Sequence, residues 1–456
     1  MFLIILASII VVVILALLSK RFLKCPVDSK PFVQVIVLGD VGHSPRMQYH
    51  ALSLADTGKV SVELVGFSGS KPLSAVANHA DIRIRHIAAL RFPSSWKVPF
   101  VVYAVMKVIV ESAQLFLVLM FTSYRPECVL LQCPPAVPSL AVCGLVCVLS
   151  GSKLVVDYHN ITHMHLGSKV KSEFLVSLVR KYESWFSRMF VYSALCVSKA
   201  MKQYLECEFG IKSSSVHVLY DRAGPQFTGR TSASAKHDLE GRLMAQEILK
   251  KRFSAYDFVI VSSTSWTPDE DFDLLLEAVV DLSAKTVGKQ SLLFITGKGE
   301  MKDSFVEKFN SKNFINIHLV TAWVSASDYP LVLGAADVGV CMHTSTSGLD
   351  LPMKVVDMLG SECPVLALKF QALQELLGSE GGCVFSSAEE LTAGLLDLLV
   401  GPQGKEKRDR FSRFGAKFRQ SSNWKSEWMS CAWNPVFDKL IPKRSRQSRR
   451  RIGSGI

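Results

Sequence analysis

The chain has 456 residues, more than a single hydrophobic core usually organises, so at least two domains are expected. Hydrophobic residues make up 49% of it and its mean hydropathy is +0.25, so it is more apolar than a typical soluble protein and membrane contact is expected. The formal net charge is +12, but aromatic residues are not interleaved with the basic ones, which argues against nucleic acid as a partner.

The N-terminus carries the longest uncharged apolar run. Residues 2–18 contain no charge and a single polar side chain, Ser8, and Lys20, Arg21 and Lys24 follow. Seventeen apolar residues suffice for a thin bilayer, and positive charge behind the run places the rest of the chain in the cytosol. Residues 1–24 are therefore predicted to be a membrane anchor. A cleaved signal peptide is the alternative, although such peptides carry their charge ahead of the apolar run.

A strand at residues 32–38 leads into a glycine-containing loop and then a helix. Gly39 and Gly42 permit a tight turn with close backbone approach, and Pro45 suits the first helical position. The loop lacks the complete G-x-G-x-x-G pattern, so it is a weak signal by itself. We assign Gly39, Gly42 and Arg46 to an acceptor or phosphate loop.

The following region alternates apolar runs with helical patterns, which predicts a parallel doubly wound sheet in a first domain at residues 32–227. Strands are predicted at residues 60–67, 81–87, 154–156, 195–197 and 216–219. The strongly apolar segments 99–121 and 129–149 are predicted to be helices that pack in the core or lie in the membrane interface.

The strand at residues 154–156 ends in Asp157-Tyr158-His159-Asn160. A carboxylate and an imidazole at the carboxyl end of a parallel strand occupy the position where such sheets bind ligands. His159, His163 and His165 could suggest zinc, but nothing nearby completes a ligand set, so no metal is expected.

Residues 228–252 are polar and without clear period, and we interpret them as a linker to a second domain at residues 253–425. Its first strand, residues 257–261, runs into a hydroxyl-rich segment that includes Ser265, and a later strand leads to a loop with Lys298. Both loops are candidates for contact with a diphosphate or a base. The acids at 269–271 are expected in the first turn of the next helix.

The stretch SGLDLPMKVVDM, residues 347–358, follows an apolar run at residues 336–340 and opens a predicted helix with Pro352 in its first turn. A helix N-terminus with unpaired N–H groups is an anion site. Lys354 and Asp357 are three residues apart and share one face, so a cation for phosphate and a carboxylate for sugar hydroxyls would lie together. A capped surface helix with an ordinary charge pair is the alternative.

The rest of the chain is less informative. Residues 426–456 form a C-terminal segment whose end, residues 443–451, contains six basic residues that suit anionic lipid or a solvated tail. The eleven cysteines are scattered and contain no C-x-x-C pair, which indicates reduced thiols in the cytosol.

The same stretch at residues 347–358 resembles the donor-binding signature of GT-B glycosyltransferases, in which two glutamates with seven residues between them hold the nucleotide-sugar. Here the pair would be Asp350 and Asp357, with six residues between them. Further blocks complete the resemblance: LGDVGHSPRMQYHALSLA, QCPPAVPSLAV, GSKLVVDYHN, VSSTSWTPDEDF, ITGKG and HTSTSGLDLPMKVVDM. Together, from about residue 35 to residue 365, they resemble the eukaryotic chitobiosyldiphosphodolichol beta-mannosyltransferase family.

The resemblance implies two Rossmann-like domains that face a cleft, and an inverting transfer of mannose from GDP-mannose to dolichol-diphosphate-linked chitobiose without metal or other cofactor. It assigns Lys354, Lys298, Ser265 and Gly348 to the donor, Asp357 to its ribose or base, and Asp350 to the mannose hydroxyls. For the general base we consider two residues on strand-end loops of the first domain, Asp40 first and His159 second.

It also implies location at the endoplasmic reticulum membrane with cytosolic catalytic domains. The expected partners are GDP-mannose, the lipid-linked acceptor, membrane lipids and other mannosyltransferases that act on dolichol-linked sugars. Two alternatives stay open: a related transferase with another donor, such as UDP-N-acetylglucosamine, or a membrane-tethered partner of such enzymes that has lost catalysis.

Overall fold

The computed structural model describes residues 29–89, 100–120, 124–267, 270–421 and 424–442. Two compact units are present. The first runs to Val197 and adds Met201–Leu219 and the segment from Lys425, and the second comprises Ser198–Ala200 and Tyr220–Trp424. The predicted anchor at residues 1–24 and the basic tail at residues 443–451 lie outside the described residues.

The first unit contains a parallel sheet whose described strands run in the order β3-β2-β1-β4-β5-β6-β7. Its strands are β1 Phe32–Asp40, β2 Ser61–Phe67, β3 Ile82–Ile87, β4 Cys128–Cys133, β5 Lys153–Tyr158, β6 Val191–Cys196 and β7 Val216–Val218. The order reverses direction between β1 and β4. In open α/β sheets, ligands bind beyond the carboxyl ends of the strands at such a switch point.

Helices connect these strands. They are α1 Pro45–Asp56, α2 Ser74–Ala77, α3 Phe100–Met120, α4 Ser139–Ser150, α5 Thr162–Gly167, α6 Glu173–Phe190 and α7 Lys199–Cys207, with 3₁₀ turns at Val41–His43 and Ser213–Ser215. The prediction of one helix over residues 129–149 was wrong, because that segment is strand β4 followed by α4. Both elements are buried and apolar, so periodicity alone could not separate them.

Among the helices that the structure describes, only α3 is long and apolar enough to cross a membrane, judged by length and composition. Only 17% of its apolar window, Val102–Met120, is buried, so of the two predicted alternatives, packing in the core does not hold for most of its length. Val105 and Ile109 are more than half exposed. This helix therefore presents an apolar surface that the first unit does not cover.

The second unit contains a parallel sheet with the described order β10-β9-β8-β11-β12-β13. Its strands are β8 Phe258–Ser263, β9 Ser291–Thr296, β10 Ile317–Ala322, β11 Val338–Cys341, β12 Val365–Leu368 and β13 Gly382–Phe385. Val259 and Val261 face one hydrophobic cluster while Ile260 faces another. Because side chains alternate along a strand, both faces of this sheet are buried, as its near-continuous apolar strands predict.

Helices cover both faces of that sheet. They are α8 Ala233–Ala245, α9 Phe272–Lys285, α10 Lys302–Ser311, α11 Tyr329–Ala335, α12 Met353–Gly360, α13 Leu373–Leu377, α14 Ala388–Leu399 and α15 Gly404–Ser421, with a 3₁₀ turn at Phe253–Ala255. The predicted linker at residues 228–252 contains α8, so that prediction was wrong. Leu239 and Leu243, one helical turn apart, are buried in the core of the second unit, and the surrounding charges concealed this apolar pair.

The C-terminal segment belongs to the first unit. Helix α16 Trp424–Trp428 continues into a π-helical segment, Met429–Phe437, and a last turn, Asp438–Leu440. Trp428 is fully buried, and its ring stacks on Phe437 with 5.7 Å between centroids. The segment at 426–442 is thus part of the core of the first unit, which its composition did not predict.

Candidate functional site

The carboxyl end of β5 holds a buried carboxylate with four donors. Arg46 of α1 donates two parallel hydrogen bonds to Asp157, from Nε to Oδ2 at 2.8 Å and from Nη2 to Oδ1 at 2.9 Å. His50 Nε2 and His159 Nε2 lie 3.0 and 2.8 Å from Oδ2. Burial opposes ionisation of Asp157, but Arg46 and the two imidazoles outweigh it, so the pKa of Asp157 lies well below its usual range.

Trp428 determines the tautomer of His50. The indole Nε1–H of Trp428 donates to His50 Nδ1 at 2.9 Å, and an indole can only donate. His50 therefore holds its proton on Nε2 and donates it to Asp157. Complete burial lowers the pKa of His50 in spite of the nearby carboxylate, so the ring is a neutral donor.

His159 is the member of this cluster that reaches the surface, with 25% of its side chain exposed. Its Nε2 is turned toward the anionic Asp157, which favours the tautomer with the proton on Nε2 and leaves a lone pair on Nδ1. A carboxylate that orients an imidazole in this way is the arrangement that supports general-base catalysis. Asp157 and His159 therefore form a dyad.

Asp40 occupies a different setting. Its Oδ1 accepts the Gly42 N–H at 2.9 Å and its Oδ2 accepts the Ser70 N–H at 2.8 Å, while His43 Nδ1 lies 2.9 Å from Oδ2. The pKa of Asp40 lies below its usual value, chiefly because the Ser70 N–H donates to the carboxylate. Partial burial opposes this lowering, and the Gly42 N–H adds to it. A carboxylate that caps a turn and titrates low is a weak base.

The predicted acceptor or phosphate loop is tied to its own unit. A Cβ on Gly42 would lie 2.4 Å from the Ser70 carbonyl oxygen, so the close approach that this glycine permits is to another loop of the unit. Gly39 would meet only Val37, at 3.7 Å. The assignment of Arg46 to phosphate needs correction, because its guanidinium is buried against Asp157 and donates from Nη1 to the Leu219 carbonyl at 2.9 Å.

In the second sheet the direction of the strand order reverses between β8 and β11, and the loops after these strands meet. Glu270 forms an isolated antiparallel bridge with His343, and its fully buried carboxylate pairs with the Lys354 ammonium. The same carboxylate accepts the Thr264 hydroxyl and the Ser265 N–H. Ser265 and Lys354, both predicted for the donor, are therefore joined through Glu270.

Glu270 was not recognised in the sequence as part of this site. The first-turn interpretation of the acids was wrong for it, because α9 begins at Phe272 with Asp271 as N-cap, accepting the Leu274 N–H at 3.0 Å. Asp269 lies outside the described residues. In the sequence, Glu270 is only a carboxylate one residue ahead of the N-cap residue Asp271. This position does not reveal that Glu270 pairs with Lys354, 84 positions further along the chain.

Helix α12 begins at Met353, one residue after Pro352, which is its N-cap. The first intrahelical bonds come from Val355 and Val356 to the Pro352 carbonyl, so the N–H groups of Met353 and Lys354 have no acceptor within the helix. This N-terminus lies at the switch point with the Lys354 ammonium beside it. Positive charge and unpaired amides at one place suit a phosphate.

Asp357 lies three residues beyond Lys354, as predicted, and it is partly buried. Its Oδ2 is 3.3 Å from the Tyr329 hydroxyl, which also lies 3.1 Å from the Ser263 hydroxyl. Burial raises the pKa of Asp357 to about 7; the Tyr329 hydroxyl opposes this shift and Asp221 adds to it. The carboxylate is thus short of donors, and sugar hydroxyls would supply them.

Asp350 belongs to a hydroxyl-rich turn ahead of α12. Its Oδ1 accepts from the hydroxyls of Ser345 and Ser347, the latter at 3.1 Å. Gly348 adopts a left-handed conformation with φ of 70° and donates its N–H to the Ser345 hydroxyl at 2.8 Å. These bonds hold the turn in one shape at the switch point, so its predicted sugar contact is preorganised.

Lys298 lies in the loop after β9, with its ammonium 4.8 Å from the ring centroid of Trp323. The loop packs tightly on the loop after β8, because a Cβ on Gly297 would lie 1.9 Å from the Thr264 carbonyl oxygen and one on Gly299 would lie 2.0 Å from that of Ser265. Both glycines are therefore required by the backbone. Among the described residues, Lys298 makes no recorded contact with Lys354 or Asp357. The role of Lys298 toward a diphosphate stays a prediction.

Replacing Gly297 by Ala is expected to destabilise the second unit by about 1–3 kcal/mol, because φ is 152° and the new methyl group would clash with the Thr264 carbonyl. Thermal unfolding of the full chain measures the effect. Gly241→Ala in α8 is the matched control, since a Cβ there meets nothing within 4 Å and Ala favours a helix. Equal melting temperatures for the two variants would contradict the clash.

Comparison with known proteins identifies the fold and the family. Residues 255–400 match the model of a family described as glycosyl transferases group 1. In solved structures, sucrose-phosphate synthase from Thermosynechococcus elongatus superimposes with a TM-score of 0.62 at 14% identity, covering 88% of this chain and 97% of that one. Anabaena HepE in complex with UDP and glucose gives 0.60 at 14%, covering 88% and 98%. These likenesses show the GT-B fold, as predicted.

Curated relatives are much closer in sequence. The human chitobiosyldiphosphodolichol beta-mannosyltransferase is 37% identical, covering 89% of this chain and 92% of that protein, and the Candida albicans enzyme of the same name is 32% identical over 90% and 89%. An Arabidopsis thaliana protein named UDP-glycosyltransferase TURAN is 36% identical over 89% and 97%. The chain is a glycosyltransferase, and it belongs to the chitobiosyldiphosphodolichol beta-mannosyltransferase family.

Proposed function

We propose that the chain transfers mannose from GDP-mannose to dolichol-diphosphate-linked chitobiose, forming a β-1,4 linkage with inversion. The observation that supports this most directly is the Lys354 ammonium at the N-terminus of α12, at the switch point of the second sheet. The leaving GDP gains negative charge as the glycosidic bond breaks. A cation and a helix N-terminus stabilise that charge without a metal ion.

Glu270 positions the cation. A lysine side chain is long and flexible, and its buried partner restricts the ammonium to the switch point. Lys354 retains partial exposure, so a diphosphate can approach it from the solvent side while Glu270 stays bonded to Thr264 and Ser265. Asp357 then accepts hydroxyls of the ribose, and the turn at Asp350 contacts the mannose.

On the acceptor side we propose His159 as the general base in place of Asp40. The neutral imidazole takes the proton of the attacking chitobiose hydroxyl on Nδ1, and the anionic Asp157 stabilises the imidazolium that forms. The attacking oxygen forms the new bond to the anomeric carbon as the diphosphate leaves with the bonding pair. Asp40 instead fixes the turn between β1 and α1 through the Gly42 and Ser70 amides.

The location that fits this substrate is the cytosolic face of the endoplasmic reticulum membrane. Dolichol is confined to a bilayer, and the names of the relatives include a dolichol-linked acceptor. The largely exposed apolar helix α3 supports membrane contact for the first unit. Anchoring by residues 1–24 and binding of other mannosyltransferases are parts of the same proposal.

A donor panel tests the proposal. The full-length protein is expected to transfer label from GDP-mannose, and not from UDP-N-acetylglucosamine or UDP-glucose, to chitobiosyl-diphosphate on a phytanyl lipid. Transfer from a UDP-sugar alone would favour the alternative that the chain is a related transferase with a UDP-sugar donor. The name of the Arabidopsis relative supports that alternative. Donor binding without transfer of any sugar would instead support a non-catalytic partner.

Lys354→Met adds a test of the donor site. Loss of a charge-assisted contact of about 1.5–3 kcal/mol is expected to reduce kcat/KM for GDP-mannose by about 10–150-fold. The value is taken per folded molecule, because the buried Glu270 also loses its cation. Lys285→Met, which removes an exposed cation paired with Asp281 on α9, is the control and is expected to leave kcat/KM unchanged. Equal values of kcat/KM for the two variants would remove Lys354 from the donor site.

A further inference from the structure

Helix α6 exposes an apolar stripe on the side opposite its buried face. The stripe consists of Phe174, Leu178, Trp185 and Met189, which are 80%, 52%, 58% and 48% exposed. Successive spacings of four, seven and four residues place them along one side of the helix, while Glu183 and Ser187 are buried on the other side. No described residue covers this stripe, so α6 is apolar where a surface helix is normally polar.

The stripe is held rigidly. Helix α6 packs on α4, where a Cβ on Gly144 would lie 2.1 Å from the Phe190 ring, so the two helices are in close contact. The Tyr182 hydroxyl accepts the Ala141 N–H at 3.2 Å and donates to the Pro138 carbonyl at 3.3 Å. Helix α6 therefore cannot rotate its apolar side inward without breaking this contact.

Charge around the stripe is cationic. Exposed Lys181 and Arg188 lie on α6 along one edge of the stripe, and exposed Lys169 and Lys171 precede the helix. Residues 169–190 contain five cations and two acids, one of which, Glu183, is buried. Aromatic and aliphatic side chains flanked by Lys and Arg are the composition of helices that lie in the interface of anionic membranes.

The stripe is also continuous with other exposed apolar residues. Helix α4 lies between α3 and α6, and its Leu145 and Val148 are 47% and 61% exposed. On its other side, α3 exposes Val105 and Ile109. Three adjacent helices of the first unit therefore present apolar side chains. The two outer helices differ, because α6 exposes the aromatic rings of Phe174 and Trp185, whereas Tyr103 and Phe116 of α3 are half-buried.

We propose that α6 lies in the interfacial region of an anionic phospholipid bilayer, with Phe174, Leu178, Trp185 and Met189 among the acyl chains and Lys181 and Arg188 at the head groups. This contact is additional to any anchor at the N-terminus. It uses a helix of the folded first unit, so it fixes which side of that unit faces the membrane.

Photo-crosslinking in the full-length protein tests the proposal. The residue p-benzoylphenylalanine is placed at position 174 or 185, and in unit 2 at position 315 as a matched control, because Ile315 is 86% exposed and apolar. The protein is reconstituted in vesicles of phosphatidylcholine with phosphatidylserine, and adducts are identified by mass spectrometry. All three positions are exposed, so the substitutions are compatible with folding.

Phospholipid adducts are expected at 174 and 185 with at least about tenfold higher yield than at 315, and with lower yield when phosphatidylserine is omitted. Lipid yields at 174 and 185 no higher than at 315 would overturn the proposal. So would adducts to a second copy of the chain, because they would identify the stripe as a protein interface. A Phe174→Glu and Trp185→Glu double variant is expected to lower the lipid adduct yield at position 178 at least about tenfold, with an unchanged melting temperature; an unchanged yield would count against the proposal.

Discussion

Replacing His159 by Ala is expected to lower kcat by about two to four orders of magnitude, the usual contribution of a positioned general base. The acceptor hydroxyl then loses its proton acceptor, while GDP-mannose binding, which we assign to residues of the second unit, stays unchanged. Steady-state kinetics with the phytanyl-linked acceptor measure kcat, and fluorescence or calorimetric titration measures donor affinity.

The matched control is Asp40→Asn, which removes the other candidate base. The asparagine keeps one acceptor for the Gly42 or Ser70 amide but presents an N–H₂ group to the other, so the turn at the end of β1 loses a bond. A lower melting temperature is expected, with kcat per folded molecule within about tenfold of the original. If Asp40→Asn loses as much kcat as His159→Ala, or if His159→Ala retains full activity, the choice of His159 is wrong.

Replacing Arg46 by Met is expected to destabilise the first unit by about 3–5 kcal/mol, because it leaves the fully buried carboxylate of Asp157 without its cation. His50 and His159 remain as hydrogen-bond donors, but neither compensates a full charge. Loss of this pair also disturbs the dyad, so kcat falls together with stability. Chemical unfolding followed by hydrogen exchange in β1 and β5 measures the effect within the first unit.

The control for this prediction is Arg180→Met. Arg180 also pairs with a carboxylate of the first unit, Glu208, but both side chains are largely exposed. Water and salt screen such a pair, and its removal is expected to cost less than about 1 kcal/mol. Similar losses for the two variants would mean that the Arg46 pair contributes through something other than burial.

The central strands were predictable because they are buried on both sides. Apolar runs such as those of β2 and β9 stand out from the chain, and their alternation with helices leaves a parallel sheet as the simplest arrangement. Prediction failed at α8 and α15, where charged residues surround the few apolar positions that are buried. A helix is recognised in a sequence by apolar residues that recur along one face. In these two helices the apolar face is too short to give that pattern.

Within the candidate site, the sequence determined which residues stand at strand ends and helix starts. Asp157 lies at the end of β5 and His159 follows it, while Lys354 lies in the first turn of α12 and Asp357 one turn later. These positions follow from local patterns of a few residues. The same patterns, with the blocks quoted above, sufficed to identify the family. Composition also predicted membrane contact, which stays a prediction.

Only the tertiary structure decided the partners of those residues. Arg46 and His50 contact Asp157 from a distant part of the chain, and Trp428 bonds to His50. Glu270 pairs with Lys354, 84 positions away. The strand order of each sheet sets which loops meet, and burial then changes how a carboxylate titrates. A single sequence contains neither a strand order nor the water excluded from a side chain, so the protonation and role of each polar group appear only in the folded chain.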